Sequence, residues 1–183
     1  MMRALIEAMV RSIEPVDRVE AEHQARVLDW IASDAGLFRV SKPATPNPHL
    51  VAYFVVVDEE AEKVLLVDHK NAGLWLPTGG HVEPDEHPRA TVIREAAEEL
   101  GIAAEFLLDD PLFVTVAETV GLTAGHTDVT LWFALERDCR APLDWDDEEF
   151  HAATWFGLTE IPPERSEPNL ERFLRKLAAY RAS

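Results

Sequence analysis

Glu95, Glu98 and Glu99 crowd three carboxylates into five consecutive positions, with Arg94 beside them and Glu86 upstream. On a helix these glutamates are related by i,i+3 and i,i+4 spacing, so their charges face one another. Like charges at that spacing cost about 0.2–0.5 kcal/mol per pair, and a helix shaped for stability alone would more often place Lys or Arg at one of them. Arg94 can reach Glu98 at i,i+4, but one guanidinium cannot neutralise three carboxylates. A hard divalent cation such as Mg²⁺ can, because it takes oxygen ligands and retains several waters. The competing reading of the trio alone is a solvated acidic face, common in a chain with 34 acidic residues.

The trio must be carried by a helix, and the flanking residues supply one. Pro88 suits a first turn, His87 precedes it as N-cap, and Gly101 suits the residue just beyond the C-terminus. The periodicity predicts a helix over 88–100 with Ala90, Ile93, Ala97 and Leu100 packed on a sheet and the glutamates on the opposite side. Upstream, Leu50–Val57 reads as a buried strand, Val64–Val67 as its hairpin partner and Leu74–Leu76 as a short third. Downstream, strands are expected at Ile102–Leu108, Phe113–Val120, Asp128–Glu136 and Ala152–Phe156, and a closing helix at Asn169–Tyr180. The first 40 residues read as helical, with Val19, His23, Val27 and Trp30–Ile31 at helical spacing and Asp17 as N-cap. Pro43, Pro46 and Pro48 punctuate a linker, which divides the chain into an N-terminal helical extension (1–42) and a main domain (43–183). Without regular βαβ alternation, the fold class is α/β with a mixed central sheet flanked by helices.

The order Gly80, five residues, Glu86, seven residues, then Arg94-Glu95-Ala96-Ala97-Glu98-Glu99-Leu100-Gly101-Ile102 matches the sequence box G-x5-E-x7-R-E-U-x-E-E-x-G-U at every fixed position, U being aliphatic. On these residues the chain resembles the Nudix hydrolase family, and the strand order from about 49 to 180 is similar to that family's α/β/α sandwich. The first 40 residues lie outside the resemblance.

The resemblance implies that Glu95, Glu98 and Glu99 bind Mg²⁺, for which Mn²⁺ can substitute, and that the carbonyl of Gly79 adds a ligand. It places Glu86 in an outer shell and gives Arg94 the task of orienting the glutamates. The implied reaction is cleavage of a diphosphate linkage in a nucleoside diphosphate derivative or nucleoside triphosphate by water attack at phosphorus. The general base is a box glutamate, Glu98 or Glu95, or a carboxylate of the loop Asp146–Glu149, where Glu149 is preferred. A nucleotide-binding or regulatory module without turnover is the alternative, and four retained glutamates favour turnover. An isomerase on the same fold would want an active-site cysteine, for which Cys139 is poorly placed.

Lys70, Arg89 and His126 are candidates for contacting phosphates or a ribose, with exposed cation or loop histidine as the plainer reading. Phe54 and Trp132 are candidate base-stacking platforms, though strand aromatics more often serve as core. His81 and His87 flank the box without fitting its ligand pattern.

Composition narrows the partners. Of 183 residues 17 are Lys or Arg and 34 Asp or Glu, a formal net charge of −17. That disfavours nucleic-acid and anionic-membrane partners, which need a basic footprint. A small phosphorylated nucleotide remains compatible provided cations intervene. One cysteine excludes an intrachain disulfide, and the longest apolar run, Leu50–Val57, falls far short of a bilayer span. No signal peptide is visible, so a cytoplasmic protein is expected. The N-terminal helices are candidates for covering the pocket or for forming a homodimer.

Overall fold

The computed structural model describes residues 1–41, 45–119 and 125–182. Its elements are α1 (Met2–Ser12), α2 (Arg18–Ala32), β1 (His49–Asp58), β2 (Lys63–His69), β3 (Leu74–Leu76), β4 (Thr78–His81), α3 (Pro88–Leu100), β5 (Phe113–Glu118), β6 (Thr127–Glu136), β7 (Phe150–Gly157) and α4 (Leu170–Arg181). The seven strands form one mixed sheet whose path runs β3-β2-β1-β6-β5, with β4 added to β1 and β7 to β2. The β1–β6 pair is parallel and the other five strand pairs are antiparallel.

One feature of β1 opens the molecule. Its residues 56–58 pair with β2, whereas 51–54 pair with β4 on the same edge. On the N-terminal side of Val56 the strands β1 and β2 therefore part, leaving a fork flanked by β3 and β4. Side chains alternate across β1. Leu50, Ala52, Phe54 and Val56 enter the core layer that holds α3, while Val55 and Val57 enter the layer that holds α4. Helices thus cover both faces, an α/β/α sandwich.

The N-terminal helices share that core. Ile6 and Val10 of α1 and Val27 and Ile31 of α2 join the same buried cluster as the central strands. Asp17 caps α2 by accepting from the Glu20 amide at 2.9 Å and also pairs with Arg172 of α4. Val19, expected on the packed stripe, is exposed, and Glu20 takes the buried position instead. It can do so because Lys176 of α4 donates to it at 2.7 Å and the Val16 amide donates at 2.7 Å. The boundary expected between 42 and 43 lies outside the described residues, as does Val120.

Two further expectations are corrected. Residues 102–108 form no strand; they bridge β6 only at Phe106↔Leu135. Ile102 and Phe106 turn into one core layer while Leu107 and Leu108 turn into the other, so the segment wraps the sheet edge instead of extending along it. On α3 the buried stripe is Val92, Ala96 and Leu100, with Glu99 inside it; Ile93, Ala90 and Ala97 are exposed. Two apolar stripes overlap on this helix, and the one that also carries Glu99 towards β4 is the one that packs.

The Glu20–Lys176 pair yields a test of the fold. Removing one partner leaves a buried charge uncompensated, so Glu20→Ala should lower stability by about 3–5 kcal/mol. Replacing both with apolar residues should cost much less. Urea denaturation of the single and double variants measures the difference.

Candidate active site

The fork is lined by Val51 and Tyr53 of β1, His69 of β2, the Thr78–His81 segment and the glutamates of α3. What lets a helix on one face of the sheet deliver carboxylates here is the Gly79-Gly80 pair. A Cβ on Gly80 would lie 1.9 Å from Glu95 Oε1, so the carboxylate occupies the space a side chain would fill. Gly79 has φ 149°, and a Cβ there would meet the Ala52 carbonyl at 2.2 Å. Its amide donates to Glu99 Oε2 at 3.1 Å.

Arg94 is the hub of the cluster. Its Nε and Nη2 grip both oxygens of Glu86 at 3.1 Å each, its Nη1 donates to Glu95 at 2.6 Å, and it reaches Glu98 at 3.5 Å. Nη2 also donates to the His81 carbonyl at 3.3 Å, tying helix to strand. Burial pushes Glu86 up, but Arg94, the Glu83 amide and the Thr91 hydroxyl outweigh it and hold its carboxyl below the usual range. Burial raises Glu95 despite Arg94. Glu99 is the extreme: burial first, then the charges of Glu95 and Glu149, push it up to about 9. Glu98 stays mostly exposed.

This charge imbalance is the test of whether the residues suit a divalent cation. Glu95, Glu98 and Glu99 converge on an open cleft with one guanidinium among them, itself gripped by Glu86. Oxygen-only donors beside a glycine pair fit a hard cation.

The acidic loop is fastened to the same helix. Amides of Asp144 and Asp146 donate to the Leu100 and Glu99 carbonyls at 3.2 and 2.9 Å, satisfying the end of α3. Glu149 follows, ahead of Phe150, which pairs with His69 across β2 and β7. Glu149 Oε1 lies 3.6 Å from His69 Nε2 and lines the cleft with the box glutamates.

The three candidate phosphate contacts are placed differently from one another. Lys70 directs Nζ to the carbonyls of Asp147 and Glu148 at 2.5 and 3.1 Å, outside the cleft, where it braces the acidic loop. Arg89 stacks over the Phe106 ring at 3.7 Å and pairs with Asp109. His126 reaches the cleft wall, but it is nearly buried, with Nδ1 on Thr119 and Nε2 3.4 Å from Asp128. Phe54 is core; Trp132 is buried too but borders the cleft, and its indole donates to Thr115 at 2.9 Å. Sequence reasoning missed Arg39, Tyr53 and His69, which do line the cleft. The alternation along β1 could have found Tyr53, since Val51 and Tyr53 fall on the face opposite Ala52 and Phe54.

Comparison with known proteins agrees with this geometry. A family model described as the NUDIX domain matches residues 48–177. CTP pyrophosphohydrolase of Escherichia coli is 41% identical over 59 residues, 30% of this chain and 44% of that protein, so the chain spans less than half of that relative's length. Asymmetrical bis(5'-nucleosyl)-tetraphosphatase of Sus scrofa is 35% identical over 106 residues, 57% of this chain and 70% of that protein. Among solved structures, a NUDIX-family hydrolase from Clostridium perfringens superposes with a TM-score of 0.55 at 23% identity, covering 72% of this chain and 99% of that one. The glutamate-lined fork carries the helix that defines the box, and with the family model matched over 48–177 this chain belongs to the Nudix family.

Proposed function

We propose that this chain is a Mg²⁺-dependent hydrolase that cleaves a diphosphate linkage in a nucleoside diphosphate derivative or nucleoside triphosphate. The observation that carries the reading is the convergence of Glu95, Glu98 and Glu99 beside Gly79 and Gly80 with Arg94 as their shared countercharge. The sequence relatives support it, because their names include a pyrophosphohydrolase and a tetraphosphatase acting on nucleotides.

Glu95, Glu98 and Glu99, with the Gly79 carbonyl, would hold Mg²⁺, and Mn²⁺ in its place. The bound cation supplies charge cancellation on the diphosphate and acidifies the attacking water. Arg94 holds Glu95 in place and is itself held by Glu86, so the ligand geometry is set before substrate arrives. Glu149 is the preferred acceptor of the water proton; Glu98 and Glu95 are the alternatives within the box. Because Lys70 and Arg89 are engaged outside the cleft, Arg39 is the side chain best placed to meet the remaining phosphate charge. His126, the other candidate, has both ring nitrogens directed at protein atoms.

Release of phosphate or pyrophosphate from a nucleotide panel with Mg²⁺ or Mn²⁺ tests the reading. Metal-dependent turnover lost in Glu98→Gln supports hydrolysis. Equal nucleotide binding by both proteins with no turnover from either would favour the binding module. Glu149→Gln should lower kcat about 10²–10⁴-fold if Glu149 is the base.

Gly80→Ala should still fold, since the nearest atoms to the new methyl belong to the Glu95 side chain, whose carboxylate must move aside. It should nevertheless cut kcat/KM about 10–100-fold by displacing a metal-orienting contact. For Arg39→Gln the expected signature is a raised KM at near-constant kcat, the mark of lost uniform binding.

A further inference from the structure

A second constellation lies beside the box and takes no part in the reaction described above. His49 stands opposite Asp128 in the parallel β1–β6 ladder, and Val51, two residues after His49, stands opposite His81 of β4. Since side chains alternate, His49, His81 and Asp128 share one face of the sheet, and His126, two residues before Asp128, joins them. One donor atom from each of the four lies within 4.8 Å of all the others. His49 Nε2 is 3.2 Å and His126 Nε2 is 3.4 Å from Asp128 Oδ1. The His49 ring packs 4.8 Å from that of His81 and 5.0 Å from that of His126.

These atoms are close without being satisfied. His49 is fully buried, and its Nε2, together with His81 Nε2 and Asp128 Oδ1, has no hydrogen-bond partner among the described residues. Buried polar atoms are rarely left so, and each orphan calls for an explanation. The tautomer of His49 sharpens the case. Its Nδ1 lies 2.8 Å from the Pro46 carbonyl, which can only accept, so Nδ1 carries a proton and Nε2, facing Asp128, is the ring nitrogen left for a metal. A backbone carbonyl fixing the far nitrogen is the usual outer support of a metal-bound histidine. The Asn47 side chain extends the brace by accepting from the Thr127 amide at 2.8 Å, between His126 and Asp128.

We propose that His49, His81, His126 and Asp128 form a second metal site, separate from the glutamate site, that takes a Zn²⁺-type divalent ion and joins β1, β4 and β6. Three imidazoles and one carboxylate suit Zn²⁺ and not Mg²⁺, which prefers all-oxygen octahedral surroundings. Metal–nitrogen bonds of about 2.0–2.1 Å in a tetrahedron put neighbouring donors about 3.4 Å apart, close to the two separations to Asp128. Four protein ligands close the coordination sphere, so the ion is structural. It holds His81, whose carbonyl receives Arg94, and thereby steadies the strand that bears Gly79 and Gly80.

Chelator-stripped full-length protein is loaded with ZnCl2 in excess Mg²⁺, desalted and analysed for metal, as wild type and as Glu98→Gln, His126→Gln and Asp128→Asn. One equivalent of Zn²⁺ retained by wild type and Glu98→Gln, with a raised melting midpoint, and lost in the other two is the expected result. Loss in Glu98→Gln but retention in His126→Gln and Asp128→Asn would place the ion on the box glutamates and overturn the proposal. Should the histidine or aspartate variants fail to fold, wild type loaded with Co²⁺ decides. Intense visible bands of a tetrahedral nitrogen-rich site support the proposal, and the weak bands of an octahedral site overturn it.

Discussion

Everything in the cleft depends on confining three carboxylates of one helix against a strand whose glycine pair leaves no side chain to obstruct them. Glu99 lies within the packed stripe of α3 and Glu95 fills the space that a residue larger than glycine would take at position 80. Arg94 offsets part of the repulsion but is shared among Glu86, Glu95 and Glu98. The protein therefore carries a local deficit of positive charge that no other described side chain makes up. The divalent cation proposed there would relieve that deficit and so couple folding to ligand affinity at this point.

The sheet's branching turns this charge cluster into an accessible site. Because β1 pairs with β2 at one end and with β4 at the other, the strands separate where the glutamates arrive. The same α3 terminus that ends at Gly101 also receives the amides of Asp144 and Asp146, so the loop carrying Glu149 is held by the helix whose charges it faces. Lys70 contributes from the other side by binding the loop carbonyls. A cation expected to meet substrate thus acts on the architecture instead, in keeping with the excess of acid in its surroundings.

The N-terminal helices belong to this economy of charge and packing. They complete one core layer, and the Glu20–Lys176 and Asp17–Arg172 pairs connect them to α4 across the molecule. Their contacts with the sheet interior and with α4 make them part of the scaffold that holds β1 and its neighbours in register.

The sequence alone determined the helix 88–100, its caps and the glutamate trio, because helical periodicity, Pro88, Gly101 and the box spacing are all local. It also determined β1, whose run of apolar residues is long and uninterrupted. Which face of α3 packs was not legible, since two apolar stripes overlap and only the glycine pair on β4 selects between them. Residues 102–108 look like a strand because their apolar alternation is local, yet the two core layers divide their side chains. Arg89 and Lys70 lie close to the box in sequence but are drawn to Phe106 and to loop carbonyls that only the fold brings near. The histidine cluster is the clearest case: its members are scattered from position 49 to 128, and no spacing rule unites them. Only strand register, with its two-residue alternation, sets all four on one face, because pairing between distant segments is decided by the packing of the whole sheet.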